Sequence, residues 1–112
     1  MPHSQTHSGG CLCGAVRYTA QGPLRDVVYC HCSQCRRQTG LYYAATAVAK
    51  SAFTLTRDDG LRWFAASDFA LRGFCGTCGS VLFWQAHSLE EVSILAGSLD
   101  DPSHLRAEVN GG

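Results

Sequence analysis

Three cysteines stand within six residues of the chain, at Cys30, Cys32 and Cys35. Their C-x-C-x-x-C spacing lets three thiolate sulfurs, which are soft ligands, reach one metal ion. Three protein ligands leave the fourth position of a tetrahedral zinc free for water or substrate. We therefore expect an open zinc site at this three-cysteine group, where a bound thiol would be deprotonated at neutral pH and could attack an electrophilic carbon.

The remaining four cysteines form two close pairs, one on each side of that group: Cys11 with Cys13, and Cys75 with Cys78. The C-x-x-C-G spacing of the second pair is typical of a zinc-binding turn at the tip of a hairpin. We favour joining the two pairs in one four-thiolate structural site, the four-cysteine group, which would contribute to folding directly. An alternative, which spacing does not exclude, joins Cys11 and Cys13 to the C-x-C element of the three-cysteine group.

The expected cofactors are two zinc ions per chain. Zinc is favoured over an iron–sulfur cluster because the C-x-C elements do not match the spacing families of cluster-binding cysteines. A secreted disulfide framework is the alternative, but seven cysteines is an odd number and the close spacings suit a metal better.

Two further alternatives concern the three-cysteine group alone. His87 or His104 could supply a fourth ligand and close a second inert site, because sites with three cysteines and one histidine are common. A disulfide from Cys30 or Cys32 to Cys35 could instead make the group redox-responsive.

Three charged or titratable residues accompany the three-cysteine group in sequence. His31 lies between two ligands, where chain alternation should point it away from the metal. Arg36 and Arg37 follow directly, and they could balance the thiolate charge or hold the carboxylates of an anionic substrate. They could equally be two solvated arginines on a short helix.

The bulk composition excludes several classes of protein. The chain has 112 residues, a formal net charge of zero and 46% hydrophobic residues, which does not indicate nucleic acid or an anionic membrane as a partner. No apolar run approaches the roughly 18 residues of a membrane span. Residues 1–10 are polar and lack the apolar core of a signal peptide, so we expect a cytoplasmic protein.

Short alternating segments predict a mainly β fold with at most one or two short helices. Residues 1–9 are expected to be a disordered tail and residues 10–112 a single zinc-binding domain. Strands are predicted over Ala15–Thr19, Asp26–Tyr29, Leu41–Ala49, Phe53–Thr56, Leu61–Ala65, Phe69–Phe74, Val81–Trp84 and Val92–Ala96.

Turn residues predict how some of these elements are connected. Ser33–Thr39 should form one or two helical turns that end at Gly40. The Asp58-Asp59-Gly60 sequence predicts a hairpin between the strands on either side of it. A short terminal helix is predicted to begin at Asp101-Pro102.

These motifs, taken together, resemble the glutathione-dependent formaldehyde-activating enzyme family, which also includes centromere protein V-like proteins. The matching segments, which cover about residues 10–102, are Gly10–Gly14 with Val16–Tyr18, Cys30–Arg37 with Gly40, Phe74–Ser80, and more weakly Gly97–Pro102. The resemblance implies a β-tent-like zinc fold. It also implies a structural zinc at Cys11, Cys13, Cys75 and Cys78, and a second, more open zinc at Cys30, Cys32 and Cys35.

The resemblance implies a function as well. The enzyme that names the family joins the thiol of glutathione to formaldehyde and produces S-(hydroxymethyl)glutathione. The expected function is therefore that of a zinc-dependent carbon–sulfur lyase, with a small thiol such as glutathione as its partner. The alternative is a non-catalytic zinc-binding module of the same family that binds a partner, since one fold can host several functions.

Overall fold

The computed structural model describes residues 5–103 and 105–106, and these residues form nine β-strands, one α-helix and two short 3-10 turns. The α-helix, α1, spans Ser33–Thr39, and the 3-10 turns span Lys50–Ala52 and Ala96–Ser98. The strands are β1 (Thr6–Gly10), β2 (Val16–Gln21), β3 (Val28–Cys30), β4 (Tyr43–Ala49), β5 (Phe53–Asp58), β6 (Leu61–Phe64), β7 (Ala70–Cys75), β8 (Val81–Ala86) and β9 (Glu91–Leu95).

The strands make two antiparallel sheets. The smaller sheet has the order β1-β2-β5, and the larger has the order β3-β4-β9-β8-β7-β6. The predicted mainly β fold with at most one or two short helices is therefore confirmed. Within the described residues, no helix has the length and apolar character needed to cross a membrane.

The main hydrophobic core lies where the two sheets face each other. Tyr18 of the smaller sheet packs edge-on against Phe83 of the larger, with 5.4 Å between ring centroids. Both side chains are almost fully buried, and so is Ile94. The Tyr18 hydroxyl is satisfied by the Ser98 hydroxyl at 2.6 Å, as a buried polar group must be.

Helix α1 packs on the opposite face of the larger sheet, against β4. Tyr43 and Ala45 of β4 pack there beside Cys35, while Val48 of the same strand belongs to the core between the sheets. Burial on both faces explains why β4 reads as an almost continuous apolar run. The predicted helix is confirmed, and it ends at Gly40, whose φ of 82° is left-handed and therefore suits glycine.

The amino-terminal strand differs from the sequence prediction. The polar composition of residues 1–9 predicts a disordered tail, but Thr6–Gly10 form β1, which pairs with β2 along its whole length. Gly9 allows this close packing, because a Cβ there would lie 2.4 Å from both the Ser98 carbonyl oxygen and the Tyr18 hydroxyl. The segment is held by hydrogen bonds between backbone groups, which polar and apolar residues both carry, so its polar side chains do not prevent it from forming a strand.

The predicted hairpin at Asp58-Asp59-Gly60 is wrong. Strand β5 pairs with β2 in the smaller sheet, whereas β6 pairs with β7 in the larger. Gly60 lies between the sheets: its N–H donates to the Ala15 carbonyl at 3.2 Å, and its carbonyl accepts from the Gly76 N–H at 2.7 Å. The turn therefore carries the chain from one sheet to the other.

The terminal helix predicted at Asp101-Pro102 is also wrong in the described part of the chain. Asp101 accepts hydrogen bonds from the N–H and hydroxyl of Ser103, at 3.1 and 2.6 Å. Such a side chain to backbone bond favours a turn over a continuing helix. Residue 104 lies outside the described residues.

Candidate metal centres

The four-cysteine group is assembled from two loops that belong to different sheets. Cys11 and Cys13 lie between β1 and β2 of the smaller sheet, and Cys75 and Cys78 lie at the turn from β7 to β8 of the larger. All four sulfur atoms lie within 4.8 Å of one another. The structure therefore selects this grouping over the alternative that joins Cys11 and Cys13 to the central C-x-C element.

The distances within this group suit a tetrahedral zinc ion. A zinc–sulfur bond is about 2.3 Å, so two sulfurs of a regular tetrahedron should be roughly 3.8 Å apart. The Sγ atoms of Cys11 and Cys13 are 3.7 Å apart, and those of Cys13 and Cys75 are 3.8 Å apart. Both distances are far longer than a disulfide bond of about 2.05 Å, and all seven cysteines of the chain are free.

Hydrogen-bond donors point at these sulfurs. The N–H of Val16 lies 3.3 Å from the Cys11 sulfur, and the N–H of Thr77 lies 3.4 Å from the Cys75 sulfur. The Ser80 hydroxyl lies 3.2 Å from the Cys78 sulfur and, with the Ser80 amide, lowers the pKa of Cys78 to about 5. Donors arranged in this way stabilise thiolates, which are the form that binds metal.

The close contacts around Gly60 show how tightly the four-cysteine group is packed. A Cβ at Gly60 would lie 2.8 Å from the Cys75 sulfur and 2.9 Å from the Ala15 Cβ. We expect Gly60→Ala to lower the free energy of unfolding by about 1–3 kcal/mol through overpacking, measured by urea denaturation at saturating zinc. Gly97→Ala is the matched control, because a Cβ there meets nothing within 4 Å. Equal stability of the two variants would contradict the expectation.

The three-cysteine group lies at one end of the larger sheet. Cys30 ends strand β3, Cys32 is the N-cap of α1, and Cys35 lies within α1. Their sulfurs also lie within 4.8 Å of one another. Cys30 and Cys32 are exposed, whereas Cys35 is buried against Tyr43 and Ala45.

Burial and capping act in opposite directions on two of these thiols. The Cys32 sulfur accepts the N–H of Cys35 at 3.4 Å, and this bond lowers the pKa of Cys32 to about 7. Burial raises the pKa of the Cys35 thiol to about 12, although the Arg72 guanidinium acts to lower it. A nearby positive charge is therefore needed to stabilise the thiolate form of Cys35.

A cavity of about 220 Å³ opens beside the three cysteines. All three line it, and Tyr43, Trp84 and Arg72 form part of its apolar and cationic wall. The group therefore has free space next to its sulfurs. This is what a site needs if its metal is to receive a ligand from solution.

Arg72 is the residue at this site that the sequence analysis missed. It lies on β7, its residue is only 5% exposed, and both of its terminal nitrogens approach the Cys35 sulfur, at 3.6 and 3.7 Å. By contrast Arg36 and Arg37 are exposed, and within the described residues neither guanidinium donates a hydrogen bond to a cysteine sulfur. A single charge inside the otherwise apolar strand predicted over Phe69–Phe74 is the pattern that could have pointed to Arg72.

Histidine does not join either group in the described part of the chain. His87 is exposed beyond the end of β8, and its N–H donates to the Phe69 carbonyl. His31 is exposed as well, and its ring stacks on Tyr42 with 5.1 Å between centroids. His104, the other candidate for a fourth ligand, lies outside the described residues.

Comparison with known proteins gives consistent matches. A family model described as glutathione-dependent formaldehyde-activating enzyme matches residues 6–110. A protein of Schizosaccharomyces pombe named as an uncharacterized lyase is 28% identical over 78 residues, which are 70% of this chain and 56% of that protein. The chain thus matches little more than half the length of that relative.

The fold also matches a solved structure. The crystal structure of a Rhodobacter sphaeroides protein aligns with a TM-score of 0.72 and 26% identity, over 90% of this chain and 99% of that chain. The family match spans both cysteine groups and nearly all of the sequence. The chain therefore belongs to the glutathione-dependent formaldehyde-activating enzyme family.

Proposed function

We propose that this protein is a zinc-dependent carbon–sulfur lyase that joins a small thiol, glutathione, to formaldehyde or a similar aldehyde. In this proposal Cys11, Cys13, Cys75 and Cys78 hold a structural zinc, and Cys30, Cys32 and Cys35 hold the reactive one. Family membership supports the reaction class. The assignment of one structural and one reactive zinc is supported by the number of cysteines in each group, because four sulfur ligands complete a tetrahedral zinc site and three leave one position open.

The observation that carries the proposal is the openness of the three-cysteine group. Two of its sulfurs belong to exposed residues, and a cavity of about 220 Å³ lies beside all three. The four-cysteine group is more protected: Cys11 and Cys75 are buried, Cys78 is half-buried and Cys13 is exposed, as expected of a site whose ligands hold the fold together.

The proposed reaction balances without an oxidant or reductant. The thiol loses its proton, its sulfur forms a bond to the aldehyde carbon, and the carbonyl electron pair moves to oxygen, which takes up a proton. Zinc, when bound, supplies the positive charge that keeps the incoming thiol ionised at neutral pH.

The residues of this chain provide the surroundings for that step. Cys35 lies on the buried face of α1, and the N-cap bond to Cys32 sets the position of the Cys32 sulfur relative to the helix. Tyr43 and Trp84 give the cavity an apolar wall, which excludes water around a small uncharged aldehyde and strengthens electrostatic interactions at the sulfurs. The absence of disulfides in the described residues supports the proposal of a reducing, cytoplasmic setting.

The test is the rate of adduct formation. Exchange NMR of glutathione with ¹³C-formaldehyde measures S-(hydroxymethyl)glutathione formation at equilibrium, with and without zinc-loaded protein. We expect the exchange rate to increase in proportion to protein concentration. A rate equal to the spontaneous one at every concentration would reject the lyase and leave the non-catalytic zinc module as the better description.

A further inference from the structure

Arg72 is buried in an unusual environment. Its guanidinium is held by neutral groups: it donates to Gln38 Oε1 at 3.1 Å and Gln34 Oε1 at 3.2 Å. Its Cζ lies 5.1 Å from the centroid of the Tyr43 ring. The remaining contacts are the two to the Cys35 sulfur, at 3.6 and 3.7 Å.

No carboxylate of the described residues lies within ion-pair distance of this cation. Amide oxygens and an aromatic face can solvate a guanidinium, but they carry no net charge to compensate it. An uncompensated buried charge is costly, so buried cations are almost always found with an anionic partner. Two groups in contact with Arg72 can ionise, the Tyr43 hydroxyl and the Cys35 sulfur, and of these the sulfur is the one that a bound metal would hold as an anion.

A zinc ion bound by three thiolates would supply that negative charge. Two positive charges on the metal and three negative charges on sulfur leave one negative charge on the site as a whole. This is equal and opposite to the charge of Arg72. A three-thiolate zinc would therefore compensate the charge of Arg72, which would otherwise be buried without a counter-charge.

We propose that Arg72 is a positioning residue of the three-cysteine metal site, which compensates its negative charge and fixes the Cys35 sulfur. The inference rests on the proposed function only in placing a metal on Cys30, Cys32 and Cys35, and it does not depend on catalysis. The two terminal nitrogens reach one sulfur, so the planar guanidinium sets both charge and direction.

The surrounding contacts hold Arg72 in this orientation. Gln38 accepts the Tyr43 hydroxyl at 2.7 Å as well as the Arg72 N–H, so tyrosine, glutamine and arginine form one connected network. Gln34 and Gln38 both belong to α1, the helix that carries Cys35. The network therefore ties β7 to the helix of the metal site.

Metal affinity tests this role directly. The second metal site of the full chain is titrated with Co²⁺ against a competing chelator, and the sulfur-to-cobalt charge-transfer bands report its occupancy. We expect Arg72→Met to weaken the second site by about 10–100-fold, the usual cost of losing a group that orients a metal ligand. Arg72→Lys keeps the positive charge but lacks the planar guanidinium, and it should recover part of the lost metal affinity.

Arg37→Met is the matched control, because Arg37 is an exposed arginine on α1 with no described bond to a cysteine. It should change the affinity of the second site by less than about threefold, well under the cost of losing an orienting partner. The first equivalent of metal, at the four-cysteine group, should bind unchanged in every variant, and this shows that β7 is still folded.

Chemical rescue gives a second, independent measurement. Arg72 lines both the cavity of about 220 Å³ and a neighbouring one of about 470 Å³ between α1 and the strands β6 to β8. A small cation can therefore reach the space that Arg72→Ala vacates. Millimolar methylguanidinium should restore cobalt binding to this variant, whereas equal concentrations of methylurea or sodium should not.

The outcomes separate this inference from the proposed function. Unchanged cobalt affinity in Arg72→Met, or a wild-type protein that binds only one metal, would overturn the role of Arg72. Weaker binding in Arg72→Met, with partial recovery in Arg72→Lys, would support it even if the wild-type protein fails to accelerate adduct formation. In that case the lyase proposal fails while the charge-compensating role stands.

Discussion

Replacing Cys75 with serine should unfold most of the protein at room temperature. Cys75 ends β7, is 0% exposed, and lies 3.8 Å from Cys13, which belongs to the other sheet. A structural zinc contributes an apparent binding free energy of about 10–16 kcal/mol in small zinc-binding domains. This binding free energy is as large as the total stability of an ordinary domain, which is about 5–15 kcal/mol. Loss of this ion should therefore leave the two sheets without their main link at this end.

Far-UV circular dichroism and a thermal melt measure the effect. We expect Cys75→Ser to lose the cooperative transition, and wild-type protein to lose it when a strong zinc chelator is added. The control is Cys30→Ser, which changes an exposed cysteine of the other group and should retain the transition. A Cys75→Ser variant that melts within a few degrees of the wild type would show that the hydrophobic core suffices without the metal.

Replacing Cys32 with serine should remove the proposed second zinc, and with it the proposed reaction, while the fold persists. Cys32 is exposed, and its sulfur caps α1 by accepting the Cys35 N–H at 3.4 Å. Serine is a favoured N-cap residue, so its hydroxyl should take over the capping bond. It is a poor zinc ligand, however, and two remaining thiolates should not hold the ion at micromolar concentration.

Zinc per chain should therefore fall from two to one, and the enzyme-dependent exchange rate should fall by more than about 100-fold, since losing even an outer-shell partner costs 10–100-fold. Cys32→Ala is the companion variant. It should lose the same zinc but also the cap, and so be about 1 kcal/mol less stable than Cys32→Ser. Two zinc ions per chain in Cys32→Ser would rule out Cys32 as a necessary ligand.

The local features of the candidate sites could be predicted from sequence because they depend on neighbouring residues. The spacing within Cys30–Cys35 and within the Cys75–Cys78 turn brings sulfurs together through short loops whose geometry is local. The helix Ser33–Thr39 and its end at Gly40 follow from a glycine that can adopt a left-handed conformation. Alternation of apolar residues likewise predicts the strands, since it depends only on the two faces of a sheet.

Only the tertiary structure decided which cysteines and which strands that are distant in sequence come together. Spacing could not choose the partner of Cys11 and Cys13, because that choice depends on which loops the two sheets bring to one end. The strands on either side of Gly60 entered different sheets for the same reason: their hydrogen bonds go to β2 and β7 rather than to each other. Strand β1, which is polar, was likewise recognisable only from the backbone that it pairs with.

Arg72 shows the difference most clearly. The sequence alone determined which cysteines could bind metal, and it directed attention to the adjacent arginines, Arg36 and Arg37. The charge that actually reaches the Cys35 sulfur comes from a strand 37 residues away. A lone charge in the apolar strand predicted over Phe69–Phe74 marks Arg72, but the group that it contacts is decided by how β7 packs against α1. Electrostatic compensation depends on distance in space, which the local sequence does not give.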